Sequence, residues 1–194
     1  LDVGQGQCVL VYSGGSCTLV DCGSANSWYD PGTIAADTLY SMGCGRLEHL
    51  VLTHYDTDHI SGVETLLSRI DVETLVVPGL PDSAAGNALL EAAREQGTQV
   101  QILREETVWD LGASTLTVDP PLGDGESNEA GLSILCSSGD FDLLITGDMD
   151  SNTEEQLLST YDLPDLEALV VGHHGSKYST SEALLSTLTP ELAF

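Results

Sequence analysis

Basic residues are the scarcest feature of this chain: 194 residues hold 5 Lys and Arg against 31 Asp and Glu, a formal net charge of −26. A surface of that sign repels polyanions, because affinity for nucleic acid comes largely from Lys and Arg neutralising phosphates. Long apolar runs are missing as well. No stretch reaches about eighteen consecutive apolar residues, which excludes a transmembrane helix, and the start Leu1-Asp2-Val3-Gly4 lacks the charged and apolar regions of a signal peptide. The chain as it stands reads as soluble. It opens on a motif without a Met and closes on Pro190-Glu191-Leu192-Ala193-Phe194, a strand just starting, so it is expected to be a fragment of something longer.

Paired thiols are also absent. Cys8, Cys17, Cys22, Cys44 and Cys136 form no CxxC pair, and an odd count cannot close completely into disulfides. Cys8, Cys17 and Cys136 lie in apolar strand-like runs and read as buried free thiols, and Cys22 reads as a structural thiol. A Cys17–Cys22 bridge stays open without being indicated. Reducing and oxidising compartments are both compatible with this pattern.

Against these absences stands a dense cluster of potential metal ligands, His54-Tyr55-Asp56-Thr57-Asp58-His59, directly after the apolar run Leu50-Val51-Leu52-Thr53. Crowded carboxylates and imidazoles repel or strand charge unless a cation joins them. Imidazole nitrogen and carboxylate oxygen together suit zinc, manganese or iron, and no soft thiolate sits in the cluster. Two other segments share the form of a short β-prone run ending in a ligand-bearing loop. They are Phe141 to Gly147-Asp148, and Leu169 to Gly172-His173-His174-Gly175-Ser176. Loops of this kind gather functional groups at one edge of a sheet. A lone Gly-Asp most often means a turn, and tandem histidines can simply be surface residues, so the weight rests on the three segments together.

With 41% apolar residues, the chain suits one well-packed domain, 1–194. Gln7 to Tyr12 and Ser16 to Asp21 straddle Ser13-Gly14-Gly15 and read as a hairpin. Helices are expected over Pro31 to Met42, Val63 to Ile70, Ser83 to Gln96, Ser151 to Tyr161 and Ser181 to Leu188. Strands are expected over Leu47 to Thr53, Thr74 to Val77, Thr98 to Leu103, Thr115 to Val118, Leu132 to Ser137, Phe141 to Thr146 and Ala168 to Val171. Hairpins and βα units mix through both halves, which predicts an α/β fold of two sheets covered by outer helices. Gly123 to Asn128 is the expected mobile loop. The acidic stretches Glu105-Glu106, Asp119 to Glu129 and Asp150 to Asp165 read as solvating surface.

The order Asp2-Val3-Gly4-Gln5-Gly6, Asp21-Cys22-Gly23, HxDxDH over 54–59, Gly147-Asp148 and His173-His174-Gly175-Ser176 resembles the metallo-β-lactamase superfamily. Within it, the chain is similar to the C-terminal domain of ComEC-type DNA-uptake proteins of competent bacteria. The resemblance runs from residue 1 to about residue 190. It implies an αββα sandwich of two mixed sheets flanked by helices, with two divalent metal ions, manganese or zinc, at one edge. It further implies a metal-dependent phosphodiesterase or nuclease that degrades the non-transported strand of incoming DNA with metal-activated water. The expected location is the extracytoplasmic face of the bacterial membrane, joined to a channel within the same polypeptide.

By the same resemblance, His54 and Asp56 help hold one metal, Asp58 and His59 the other, and Asp148 bridges. Either His174 or His173 supplies the last ligand, the other serving as an acid or a substrate contact. Asp2 and Asp21 are expected to hold loops or to orient a ligand imidazole. Asp58, His59 and Asp148 are the catalytic candidates, with Asp58 orienting the water. Ser176 and Lys177 are placed to contact a phosphate, although an exposed loop lysine is an equal reading of Lys177. Tyr55 and Tyr178 either stack on a base or pack the rim, and His49 is structural. Asp56 replaces the second histidine of the usual HxHxDH, which hardens the first position and argues against lactam hydrolysis. Upstream of Phe141, where the superfamily often supplies one more His, the segment Asn128 to Ser133 has none. Two other functions stay open: hydrolysis of a small ester, such as a phosphorylcholine-type phosphodiester or lactone, and a non-catalytic metal-binding module of the channel.

Overall fold

The computed structural model describes residues 1–122 and 130–194, so the loop expected at 123–128 lies outside the described residues. Two compact units, 1–103 and 104–194, are described in turn.

The first unit carries a five-stranded mixed sheet in the order β1-β2-β3-β4-β5. Strands β1 (Val9–Ser13) and β2 (Ser16–Val20) pair antiparallel. Both residues of the loop between them, Gly14 at φ +59° and Gly15 at φ +92°, take the left-handed conformation that a two-residue turn matched to strand twist demands. From β2 onward, β3 (Arg46–Val51), β4 (Asp71–Val77) and β5 (Gln99–Ile102) run parallel. Parallel strands need crossovers, which are supplied here by α1 (Pro31–Ser41), α2 (Thr57–Ile60), α3 (Val63–Leu67) and α4 (Ala84–Glu95). The Asp30 side chain caps α1 on the Thr33 amide at 3.1 Å, with Pro31 in the first helical position, and the Ser83 hydroxyl caps α4 on the Gly86 amide at 3.0 Å. Leu19, Leu39, Leu47, Leu50, Leu66 and Leu75 are fully buried between sheet and helices. Each such side chain contributes roughly 1.5–3 kcal/mol.

The second unit carries a six-stranded mixed sheet in the order β11-β10-β9-β8-β7-β6. Strands β6 (Thr107–Asp110), β7 (Thr115–Asp119), β8 (Ser133–Ser138) and β9 (Phe141–Ile145) form an antiparallel meander. Strands β10 (Ala168–Val170) and β11 (Leu192–Ala193) extend it in parallel. Helices α5 (Ser151–Thr160) and α6 (Glu182–Leu188) are capped by Asp150 and Ser181. Their Leu157, Leu184 and Leu188 pack with Leu144, Leu166 and Leu169 of the sheet side. Two mixed sheets flanked by helices are thus the observed architecture.

Three expectations need correction. Cys17 is not a free thiol and does not pair with Cys22: it is joined to Cys44, because β2 runs beside the turn between α1 and β3 and brings the two Cα atoms to 6.8 Å. Asp119 is not solvating surface. It ends the interior strand β7, is 1% exposed, and accepts the Ser133 hydroxyl at 3.0 Å. Glu154, likewise expected outside, is fully buried, because it shares the inward face of α5 with Thr153 and Leu157.

Candidate metal centre

Strand register assembles the site within the first unit. Val20 of β2 lies opposite Val51 of β3, and the Asp21 amide donates to the Val51 carbonyl at 2.8 Å. The residues just beyond both strands, Asp21 on one and Thr53-His54 on the other, therefore share one edge. Asp21 is fully buried at φ +57°. Its Oδ1 accepts the Thr53 amide at 2.8 Å, while Oδ2 accepts the Gln7 side-chain amide at 2.7 Å and the Thr53 hydroxyl at 2.7 Å. The same Oδ2 lies 2.7 Å from Nδ1 of His59. A carboxylate so placed keeps the proton on Nδ1, so that the far imidazole nitrogen, Nε2, is the one that could ligate a metal ion.

The neighbouring imidazole is held in the same sense. His54 Nδ1 lies 3.0 Å from the Thr53 hydroxyl, and the His54 and His59 rings sit 4.0 Å apart between centroids at 51°. His54 Nε2 lies 3.7 Å from Asp56 Oδ2, with the imidazole 2% exposed and the carboxylate 48%. That spacing exceeds a hydrogen bond and falls in the range of roughly 3 to 4 Å that separates two ligands each about 2.0–2.2 Å from one ion. Asp56 stands at the N-terminus of α2, Asp58 is half-buried on its first turn and His59 is buried.

Glycines in the first two motifs let these loops meet backbone to backbone. A Cβ on Gly23 would lie 2.4 Å from the His59 nitrogen, and one on Gly6 would lie 2.2 Å from the Gly23 carbonyl and 2.8 Å from that of Asp58. Gln7 N to Asp58 O at 3.0 Å, and Cys22 N to His59 O at 2.8 Å, close the contact. Asp2 is exposed and accepts the Gly4 amide at 3.3 Å, within its own turn. Cys22 is buried, and its hydrogen bond with Cys8, together with burial, pushes its thiol well up, which keeps it unreactive. Tyr55 packs against the core and donates to the Gly79 carbonyl at 2.7 Å, so it serves the rim. Burial lowers the pKa of His49, against the opposing pull of Glu48 and Glu73.

The second unit sets its own candidate ligands just beyond its strands in the same way. Ile145 of β9 lies opposite Val170 of β10, and His173 N donates to the Gly147 carbonyl at 3.0 Å. Asp148, 4% exposed, receives one histidine at each carboxylate oxygen: His173 Nε2 stands 3.7 Å from Oδ2 and His174 Nε2 3.8 Å from Oδ1. The His174 side chain is 18% exposed and that of His173 39%. Both histidines take left-handed backbone, φ +49° and +51°, a conformation costing roughly 1–2 kcal/mol for each side-chain-bearing residue.

That strain is held by the rest of the loop. The buried Glu154 accepts the amides of Thr180 at 2.6 Å and Ser181 at 2.8 Å, and the Thr180 hydroxyl accepts the Gly172 amide at 2.9 Å. Gly172 is seated against Thr146 and Ser179, each 3.2 Å from where its Cβ would be. Ser176 is half-buried, with Oγ 3.4 Å from the Tyr178 amide, and Lys177 is exposed with Nζ 4.8 Å over the Tyr178 ring. Gln7, Thr53 and Glu154 were not among the residues expected from sequence. Only Glu154 left a signal there, as an acid three residues before Leu157 on an apolar helix face.

The donor set of imidazoles and carboxylates, buried at His54, His59 and Asp148, fits divalent metal ions of the borderline-to-hard class. Comparison with known proteins agrees. The chain is 30% identical over 212 residues to ComE operon protein 3 of Bacillus subtilis, covering 100% of this chain and 27% of that protein. It is 33% identical over 199 residues to Recombination protein 2 of Haemophilus influenzae, covering 100% and 23%. The chain thus spans about a quarter of the length of these curated relatives. Among solved structures, CmlA, a diiron β-hydroxylase from Streptomyces venezuelae, shares the fold at a TM-score of 0.59 and 15% identity, over 98% of this chain and 43% of that one. The family model of the metallo-beta-lactamase superfamily matches residues 1–193, and the chain belongs to that superfamily.

Proposed function

We propose that this chain is a metal-dependent phosphodiesterase acting on DNA, the domain of a DNA-uptake protein that degrades the strand not carried inward. The observation that carries the reading is the buried Asp21–His59 pair at 2.7 Å, the arrangement that prepares an imidazole for metal. It stands beside an Asp, Asp56, where a lactam-hydrolysing relative would use His. The competence proteins among its relatives, including competence protein ComA of Neisseria gonorrhoeae, set the biological context.

In this reading Asp58 and His59 of the first unit, and Asp148 and His174 of the second, are metal donors. His54 and Asp56 complete the first ion's ligands and His173 stands beside Asp148 as a ligand or as the acid for the leaving oxygen. When bound, two manganese or zinc ions supply Lewis acidity and lower the pKa of the attacking water. Asp21 fixes the His59 tautomer, Asp58 orients the water, Asp148 would serve as the bridging carboxylate, and Ser176 and Lys177 contact a phosphoryl oxygen. The Cys17–Cys44 disulfide supports an oxidising, extracytoplasmic location. Among the described residues no helix is long and apolar enough to cross a membrane, so in this reading the channel lies elsewhere in the polypeptide.

The test is cleavage of single- and double-stranded DNA with added manganese, zinc or chelator, for the native protein and for His59→Ala and Asp148→Ala. Metal-dependent cleavage lost in both variants supports the reading. The net charge of −26 favours a second one, a small-ester hydrolase whose ligand need not meet the whole surface. Turnover of a small phosphodiester or a lactone without DNA cleavage would establish it, and bound metal without any turnover would point to a non-catalytic module.

A further inference from the structure

The loop that leads from Cys22-Gly23 to α1 carries Trp28, 91% exposed, the most exposed large apolar side chain among the described residues. Its backbone is pinned on both sides. The Ser24 amide donates to the Ser61 hydroxyl at 2.9 Å, and Ala25 N to the Gln5 carbonyl at 2.7 Å. Asn26 then folds an Asx turn, accepting the Trp28 amide on its side chain at 3.0 Å and the Tyr29 amide on its carbonyl at 3.1 Å. Tyr29 lies over Gly4, its ring 2.7 Å from where a Cβ would stand, and Asp30 caps α1. The anchors of this loop, Gln5 and Ser61, flank the residues that hold Asp58 and His59. The loop is therefore fixed to the metal-ligand loop, yet its largest ring is left in water.

Charge argues for what covers that ring. Of the five basic residues, Arg46 is paired with Glu73 and Arg69 with Asp37 at 2.6 Å, so little cationic surface is left to grip phosphates. Stacking of a base on an aromatic ring does not depend on charge and tolerates any sequence, because every base has a π-face. It does require an unpaired base, since a duplex hides its faces in the stack.

We propose that Trp28 is a stacking platform for an unpaired nucleobase of the substrate, giving the site a preference for single-stranded over duplex DNA. This rests on the phosphodiesterase reading above. Two measurements separate the failure of one from the failure of the other. In the first, quenching of Trp28 fluorescence is followed in a Trp109→Phe background as oligodeoxythymidylate, the same length of abasic oligonucleotide, or a blunt duplex is added with manganese. Quenching by oligodeoxythymidylate alone is expected, whether or not cleavage follows, and absence of quenching overturns the proposal even if DNA is cut. In the second, Trp28→Ala should raise KM for the single strand roughly five- to a hundred-fold while leaving kcat unchanged, with Trp28→Phe retaining most of the affinity. An unchanged KM, or an equal rise for the duplex, overturns the proposal. Quenching without cleavage would retain the stacking site and remove the nuclease.

Discussion

Replacing Asp21 by Asn changes one atom of a buried carboxylate and should separate metal binding from folding. Asp21 accepts from four donors, the Thr53 amide and hydroxyl, the Gln7 side-chain amide and His59 Nδ1, at 2.7 to 2.8 Å. An Asn side chain has one acceptor end. With its oxygen towards His59, its NH2 faces the Thr53 amide donor to donor. Reversed, its NH2 faces His59 Nδ1, and the imidazole answers by moving its proton to Nε2, the nitrogen needed for metal. Either arrangement weakens one charge-assisted hydrogen bond in a fully buried place, about 1.5–3 kcal/mol of stability. The tautomer change should lower metal affinity by about 10- to 100-fold. Calorimetric titration with zinc and manganese, alongside urea unfolding of the metal-free protein, reads the two effects apart. If stability falls as expected while metal affinity stays within about twofold of native, Asp21 is only a structural carboxylate and the tautomer argument fails.

Three other outcomes are expected. Burial, opposed by the Ser133 hydroxyl and aided by Glu106, pushes the Asp119 carboxyl up to about 6. The folded state then binds the proton more tightly than the unfolded chain, so this group's stability is present at low pH and is lost as pH rises from about 4 to about 6. Asp119→Asn should accordingly stabilise the metal-free protein by about 2 to 3 kcal/mol near neutral pH and by nothing near pH 4 in urea unfolding; a gain independent of pH would refute this. Reduction of Cys17–Cys44, bonded across 27 residues, should cost about 3 to 4 kcal/mol, read as a lower Tm with dithiothreitol and as two more alkylated thiols by mass. Gly23→Ala, whose Cβ would stand 2.4 Å from the His59 backbone, should lose about 3 kcal/mol or fail to fold, and native-like melting would show that the motif loops can part.

Most elements were legible in the sequence because local signals agreed. The hairpin had two glycines in its turn, α1 had Pro at its first position and an Asp before it, and β3 led into the apolar run Leu50-Val51-Leu52. What escaped was short or polar. Helix α2 spans Thr57–Ile60, where ligand residues replace the apolar spacing that would announce a helix. Strand β6, Thr107–Asp110, is an edge strand whose half-buried alternation follows two glutamates. In the candidate site, the candidate ligand types stood out because no bland segment needs so many of them together. Their supports were not, since Gln7, Thr53 and Glu154 act through register and burial, and a one-dimensional string carries neither. The cysteine pairing failed for the same reason: Cys17 and Cys44 meet only once β2 and β3 are laid side by side.

The charge of the chain also constrains how a phosphodiester could be held. At a net −26, the long-range field pushes DNA away, so in the proposed phosphodiesterase reading binding has to come from contacts at short range: metal ions among the carboxylates, Lys177, and a ring such as Trp28. Monovalent salt screens repulsion between exposed charges beyond about 10 Å at 0.1 M but hardly weakens stacking or inner-sphere metal contacts. A basic DNA binder loses affinity steeply with salt because each neutralised phosphate releases its counterions. Here the sign reverses. KM for a single-stranded oligonucleotide, measured at fixed saturating manganese, should stay level or fall as potassium chloride rises from about 10 to about 100 mM. A tenfold or greater rise in KM over that range would mean that Lys and Arg carry the binding after all, and that the metal centre and the exposed ring contribute little to holding DNA.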